Sequence, residues 1–311
     1  MTMKVLSVLG ECMVELTYQN GQLVSGVAGD TYNTAVYFRR LCDHGWSTRF
    51  VSAVGHDPMS DRMLQQWQQE GLDSTWTQRL PDHLPGIYMI DTDRAGERSF
   101  YYWRDQSAAK YWLASPQSEA VLAQLQQSTV IYLSGISLAI LPPESRSLLV
   151  DCLRAFREDG GQVAFDGNYR RRLWENRGTA RYWYSKLLRE TDLVFLTLED
   201  EQDLWDDASV DSVLASGRLP ADTEVVIKQG ADPAIVQTVD ERLVVPACRV
   251  EPNAIVDTTA AGDSFSAGYL AARLQGLSAR ASAQAGNRLA ARVIQHPGAI
   301  LPRGEMPALV D

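Results

Sequence analysis

Cysteine is scarce: four residues in 311, Cys12, Cys42, Cys152 and Cys248, with no Cys-x-x-Cys pair and no histidine at ligand spacing. That scatter excludes a disulfide framework and a zinc ribbon, and is expected of reduced, mostly buried thiols in the cytoplasm. Basic residues are also in deficit, 29 Lys and Arg against 39 Asp and Glu for a formal charge of −10. Such a balance argues against nucleic acid or an anionic membrane as a partner, and any phosphate ligand would have to bring a metal counterion. No stretch reaches 18 uninterrupted apolar residues, and the apolar run at Met1-Thr2-Met3-Lys4-Val5-Leu6 is too short for a signal peptide, so a soluble, cytoplasmic protein is expected. Gly-x-Gly-x-x-Gly and Gly-x4-Gly-Lys-Ser/Thr are both absent, which removes the usual signals of a dinucleotide fold and of a P-loop ATPase. There is no repeat, heptad array, low-complexity segment or Gly/Ser/Pro-rich linker. With 45% apolar residues there is ample material for one large α/β domain or two small ones.

What is present is an alternation of short apolar runs with helix-length segments. Val5 to Leu9 reads as a first buried strand ending at Gly10-Glu11. Ala28-Gly29-Asp30-Thr31-Tyr32-Asn33 leads into a helix expected from Thr34 and stopped near Asp43 to Gly45. Phe50 to Val54 reads as a strand, followed by His56 in a loop and a helix bearing Met63, Leu64 and Trp67. From Ser118 the pattern becomes regular, with strands at Val130–Leu133, Val163–Phe165, Leu193–Leu196 and Val225–Ile227, and with helices opened by Pro142 and near Thr179 to Arg189. Continuous apolar strands of this kind are buried on both faces of a parallel sheet. Polar residues gather just after them, on the edge where open α/β sheets bind ligands.

Two further segments read as hairpins, one over Pro233 to Val245 and one joining Gly86–Asp91 to Glu97–Arg104 through Thr92-Asp93-Arg94-Ala95-Gly96. In the second, strand periodicity puts Phe100, Tyr102 and Arg104 on one face and Tyr101 and Trp103 on the other. Aromatic rings ending in an arginine suit either a lid over a polar ligand or a hairpin packed on the main body.

The richest stretch is Asp257-Thr258-Thr259-Ala260-Ala261-Gly262-Asp263, running into Ser264-Phe265-Ser266-Ala267-Gly268. Small residues before a helix leave orphan backbone donors at the positive end of its dipole, with room for a phosphate to approach. An ordinary helix start has much the same composition. Asp263 makes sense beside a phosphate if it faces a hydroxyl that must lose its proton during phosphoryl transfer.

That string resembles the C-terminal signature of the ribokinase-like (PfkB) sugar kinases, and the resemblance extends over nearly the whole chain to His296-Pro297-Gly298-Ala299. Within the family the sequence is most similar to kinases of the sugar acid 2-keto-3-deoxygluconate, through Gly10-Glu11-Cys12-Met13, Gly29-Asp30-Thr31-Tyr32-Asn33, Pro85-Gly86-Ile87-Tyr88, Tyr101-Tyr102-Trp103-Arg104 with Ala108-Ala109, Leu133-Ser134-Gly135-Ile136 and Asp166-Gly167-Asn168-Tyr169-Arg170. The resemblance implies one domain over residues 1–311: a three-layer α/β/α sandwich with a mostly parallel sheet and a small β-sheet lid inserted at about 12–28 and 86–104. It implies ATP and Mg²⁺ as cofactors and transfer to the terminal hydroxyl of the sugar acid.

Carried over residue by residue, Asp263 resembles the catalytic base, and Ala260, Ala261 and Gly262 the anion hole. Gly29, Asp30, Asn33, Tyr88, Tyr102, Arg104 and Arg170 match substrate positions. Lys228, Gly230, Asn287 and Gly298 match nucleotide positions. Asp200 matches a Mg²⁺ position, and Asp257 and Thr259 match positions that serve a monovalent cation, potassium, in related enzymes. Thr197 stands where the family usually has asparagine, Pro233 and Ala260 where it often has glycine; Ala260 is therefore expected at negative φ. Arg104 and Arg170 could clamp a carboxylate, and a neutral hexose would leave both without a partner. Asp263, at the ordinary carboxylate pKa of ~3.9, would take its proton late in a loose transition state. The alternatives are a kinase of another sugar such as fructose, or a ligand-binding regulator that kept the fold. A homo-oligomer, a dimer or a multiple of one, is expected from the edge strands of the lid.

Overall fold

The computed structural model describes residues 3–19, 21–42, 44–92 and 98–309. An eight-stranded sheet runs in the order Arg242–Val245, Asp232–Gln237, Glu224–Gln229, Leu193–Thr197, Gln162–Asp166, Val130–Ser134, Lys4–Leu9, Trp46–Val51. All pairings are parallel except those of the Asp232–Gln237 and Arg242–Val245 strands, which form the expected hairpin at one edge. The strands have no polar face. Within Leu193–Thr197, Val194 and Leu196 pack into one core with Trp183, Tyr184 and Leu187, whereas Phe195 points into the other with Tyr269 and Tyr32. Side chains alternate across the sheet, so a continuous apolar run feeds two cores and calls for helices on both faces. Helices Ser118–Leu125, Pro143–Glu158 and Arg177–Leu188 cover the first face; Asp30–Leu41, Pro58–Gln69, Ala261–Leu274 and Ala279–Val293 cover the second. This is the α/β/α sandwich expected from the sequence. Among the described residues no helix is long and apolar enough to cross a membrane.

A separate four-stranded sheet, in the order Gln22–Ala28, Met13–Gln19, Ile87–Thr92, Arg98–Trp103, is built from the two segments expected to form the lid. Its outer hairpin pairs Tyr88 with Tyr102 and Ile90 with Phe100. The tight link expected at residues 92–96 has its Asp93 to Gly96 portion outside the described residues, as is Asp43 at the expected helix stop.

Two local readings are corrected, and two short helices are added. The first helix begins at Asp30 rather than Thr34, because Thr31, Tyr32 and Asn33 are buried against the sheet. The run Phe50 to Val54 is not one strand: Trp46–Val51 joins the main sheet, and Ala53–Val54 pairs separately with Gln78–Arg79. Short helices Gly135–Ala139 and Leu198–Trp205 follow their strands directly, the first capped by Ser134, whose side chain accepts from the Ser137 amide.

Candidate active site

The C-terminal ends of the parallel strands and the inner face of the four-stranded sheet enclose a cleft of about 770 Å³. At its floor, helix Ala261–Leu274 begins in a turn closed by Ala261 N–H donating to Thr258 O at 3.3 Å and Ser264 N–H to Ala260 O at 2.8 Å. Among the described residues no backbone carbonyl accepts from the Gly262 or Asp263 amide, leaving two orphan donors at the positive end of a helix. Ala260, at the N-cap, has φ 60° and ψ 13°, not the negative φ expected of an alanine. The left-handed conformation costs a residue with a Cβ ~1–2 kcal/mol. Closure of this turn outweighs the cost.

Asp263 is in the first turn of that helix and lines the cleft. Asn33 Nδ2 donates to its Oδ2 at 2.9 Å, and Thr34 Oγ1 to its carbonyl at 3.3 Å. Its surface is only half-buried, yet its carboxyl is enclosed enough that burial, reinforced by the Asp30 carboxylate and opposed by Asn33, lifts its pKa to about 7. It is thus a stronger base than the ordinary carboxylate assumed from sequence. Asn168 Nδ2 holds Asp30 Oδ2 at 2.8 Å; Asn168 sits at φ 35°, a region asparagine tolerates better than most residues. Gly29 precedes Asp30 where any Cβ would collide with the Glu11 carbonyl.

On the opposite wall Tyr88 donates to Glu15, and its ring stacks on Tyr102 at 5.9 Å between centroids. Phe100, Tyr102 and Arg104 all line the cleft, as strand periodicity required. Both Arg104 and Arg170 reach it, but neither waits without a partner: buried Arg104 is paired with buried Glu11, and Arg170 Nη1 donates to Tyr169 O at 2.8 Å and lies 3.5 Å from Asp200. The expectation that a neutral sugar would strand both arginines therefore fails, because the chain supplies its own carboxylates.

Lys228 and Gly262 line the cleft; Gly230, Asn287 and Gly298 do not. Gly230 lies in the turn of the edge hairpin at φ 63°, and Asn287 donates to Pro246 O at 2.9 Å. Asp257 accepts from the amides of Thr259 and Gly298, both at 2.8 Å, so it ties the anion turn to the Gly298 loop. Asp200 lines the cleft with Thr197 and Glu199, its pKa raised by burial and lowered by Arg170. Among the described residues no group of three or more His, Cys, Asp or Glu is arranged to hold a metal unaided.

Four contributors escaped the sequence reading of the site: Glu11, Glu199, Asn168 and, just behind the cleft, Asp166. Asn168, Asp166 and Glu11 belong to segments already conspicuous in the sequence; Glu199 gave no signal beyond its position after a strand.

Orphan amides and a carboxylate of raised pKa, together lining one cleft, fit a phosphoryl-transfer site on an α/β sandwich. Comparison with known proteins agrees. The pfkB family of carbohydrate kinases matches residues 3–305. A 2-dehydro-3-deoxygluconokinase of Dickeya dadantii is 49% identical over 99% of this chain and 100% of its own, and one of Escherichia coli K12 is 48% identical over 98% and 99%. The crystal structure of a putative ribokinase II of E. coli with ATP and Mg²⁺ has a TM-score of 0.81 at 22% identity, covering 99% of this chain and 96% of that one. The chain belongs to the pfkB family of carbohydrate kinases.

Proposed function

We propose that this protein is an ATP-dependent kinase that phosphorylates 2-keto-3-deoxy-D-gluconate at its 6-hydroxyl, giving the 6-phosphate and ADP. The observation that carries the reaction is Asp263 beside the unpaired amides of its own helix. The relatives named 2-dehydro-3-deoxygluconokinase, matching end to end at nearly half identity, support the choice of substrate. In this reading Gly29, Asp30, Asn33, Tyr88, Tyr102, Arg104 and Arg170 bind the sugar acid. Asp263 accepts the hydroxyl proton as oxygen bonds to phosphorus, while the Ala260-Ala261-Gly262 turn presents the anion hole through the free Gly262 and Asp263 amides, the Ala261 amide being engaged by Thr258 O. Lys228, Gly230, Asn287 and Gly298 serve the nucleotide.

Mg²⁺ fits the hard oxygen donors Thr197, Glu199 and Asp200; it needs few protein ligands when phosphates and water complete its shell, and it neutralises phosphate charge. A monovalent cation such as potassium would be served by the Asp257 and Thr259 segment. The chain acts as one kinase domain with the four-stranded sheet as its lid, works in the cytoplasm, and associates as a homodimer or a multiple of one through that sheet's exposed edges.

The decisive assay is ADP release with Mg-ATP and a panel of 2-keto-3-deoxygluconate, gluconate, fructose and ribose. Selective turnover of the keto-deoxy acid is expected. Preference for fructose would reassign the substrate, and nucleotide binding without turnover would make the protein a regulator. Sedimentation at monomer mass across a wide concentration range would refute the oligomer.

A further inference from the structure

Behind the cleft, Asp166 ends the central strand Gln162–Asp166 and is 2% exposed. Its Oδ2 accepts from Lys228 Nζ at 2.8 Å and from Ser266 Oγ at 2.7 Å, with Tyr132 OH at 3.5 Å; Oδ1 is buried with no hydrogen-bond partner. A half-satisfied buried carboxylate is costly, on the order of 1–3 kcal/mol or more, so its place at the active-site edge calls for a role. The geometry supplies one. Ser266 is one turn beyond Asp263 on the same helix, and Lys228 Nζ, 3.3 Å from Ser266, lies 3.5 Å from where a Gly262 Cβ would point. The ammonium is therefore held directly against the glycine of the anion turn.

We propose that Asp166 is a positioning residue for phosphoryl transfer: it fixes the Lys228 ammonium against the Gly262 turn and keeps it off the base, Asp263. The inference rests on the kinase reading. Lysine is a flexible chain with a point charge, and Asp263 and Asp200 both feel the charge of Lys228. Without the Asp166 carboxylate, the ammonium would swing toward those carboxylates, leaving the phosphoryl site and stabilising the ionised Asp263, which makes it a weaker base. The charged and titratable groups facing Asp263 are Asp30 and Tyr37 on helix Asp30–Leu41, Tyr132 on strand Val130–Ser134, Asp166, and Lys228 on strand Glu224–Gln229.

The test is a double-mutant cycle of Asp166→Asn and Lys228→Gln, read as kcat and KM for ATP and for 2-keto-3-deoxygluconate across pH. Each single change is expected to lower kcat/KM for ATP by ~10-fold or more. The double variant should be no worse than Lys228→Gln, within ~2-fold, if the main effect of Asp166 runs through the lysine. The ascending pH limb should move to lower pH in Asp166→Asn and to higher pH in Lys228→Gln, and the Asp166→Asn shift should be larger with Lys228 present than in the Lys228→Gln background, which loss of the Asp166 charge alone would not produce. If Asp166→Asn alone does not fold, the double variant, which leaves no unmatched buried charge, is compared with Lys228→Gln directly. Multiplying losses, or pH limbs that do not move apart, would overturn the role of Asp166 while leaving an active kinase. A wild-type protein silent toward ATP and the sugar acid would overturn both readings.

Discussion

The two walls of the cleft are built on different terms. On the main-sheet side the polar groups are buried and tied to one another: Asn33 is 3% exposed and Asp166 2%, and each is held by bonds from other elements. On the small sheet, Phe100, Tyr101, Tyr102 and Trp103 are 37%, 48%, 50% and 58% exposed, and the firmest polar anchor is the buried pair of Arg104 with Glu11. The sheet edge is prepared before substrate arrives; the small sheet keeps apolar area in reserve for whatever covers it. Preorganised dipoles and charges cost nothing to reorient at the moment of reaction, while a loosely held wall can close and exclude water.

Substitutions on the two walls should therefore fail in different ways. The largest effect belongs to Asp263→Asn, expected to lower kcat by ~10²–10⁴ with sugar affinity retained, read by coupled ADP release and calorimetry; a loss confined to KM would contradict its role as base. In the wild type, kcat/KM should rise with pH through the region near 7 where Asp263 ionises. The same shift links to stability. A carboxyl with a raised folded pKa is unpenalised below about pH 4 and progressively destabilising as pH climbs through its folded value. Asp263→Asn should thus melt at the wild-type temperature in acid and ~2–4 °C higher at pH 8; an unchanged gap between pH 5 and 8 would contradict the upward shift.

Next in size is Arg104→Met, which strips Glu11 of its partner in a buried setting and should cost ~3–5 kcal/mol of stability in denaturant titration. No such loss is expected of Tyr102→Ala. There the exposed ring contributes little to folding, and KM for the sugar acid should rise ~10-fold with little change in denaturant midpoint. A large stability loss at Tyr102 would erase the contrast between prepared and waiting walls. The smallest effect is Ala260→Gly. It relieves left-handed strain of ~1–2 kcal/mol but restores unfolded-state freedom worth ~0.4–1 kcal/mol, leaving a net gain of ~0–1.6 kcal/mol, visible as a slightly higher melting point.

Much of this molecule could be read from its residues. Apolar runs such as Leu193–Leu196 need two cores, and that need alone foretells a parallel sheet with helices on both sides. Strand alternation correctly put Phe100, Tyr102 and Arg104 on one face, and Asp257 to Asp263 was legible as a helix start with orphan donors because donor orphaning is local. The misreadings came where distant chain segments decide. Arg104 is not free because Glu11, 93 residues earlier, returns to meet it; the Ala260 misreading is the local exception, its positive φ accompanying a turn that Ala261 closes onto Thr258. Asp166 gained its partners Lys228 and Ser266 only when three separate elements met at one sheet edge.

The sequence by itself determined the layered fold, the sheet edge where the cleft opens and the helix start with its orphan donors, since each follows from periodicity or backbone donors within a few residues. Tertiary structure alone decided which charges neutralise one another and how basic Asp263 is. Those depend on burial and on separations of a few ångströms between groups remote in the chain, and electrostatic energy at such distances is set by position in space, not by order in sequence.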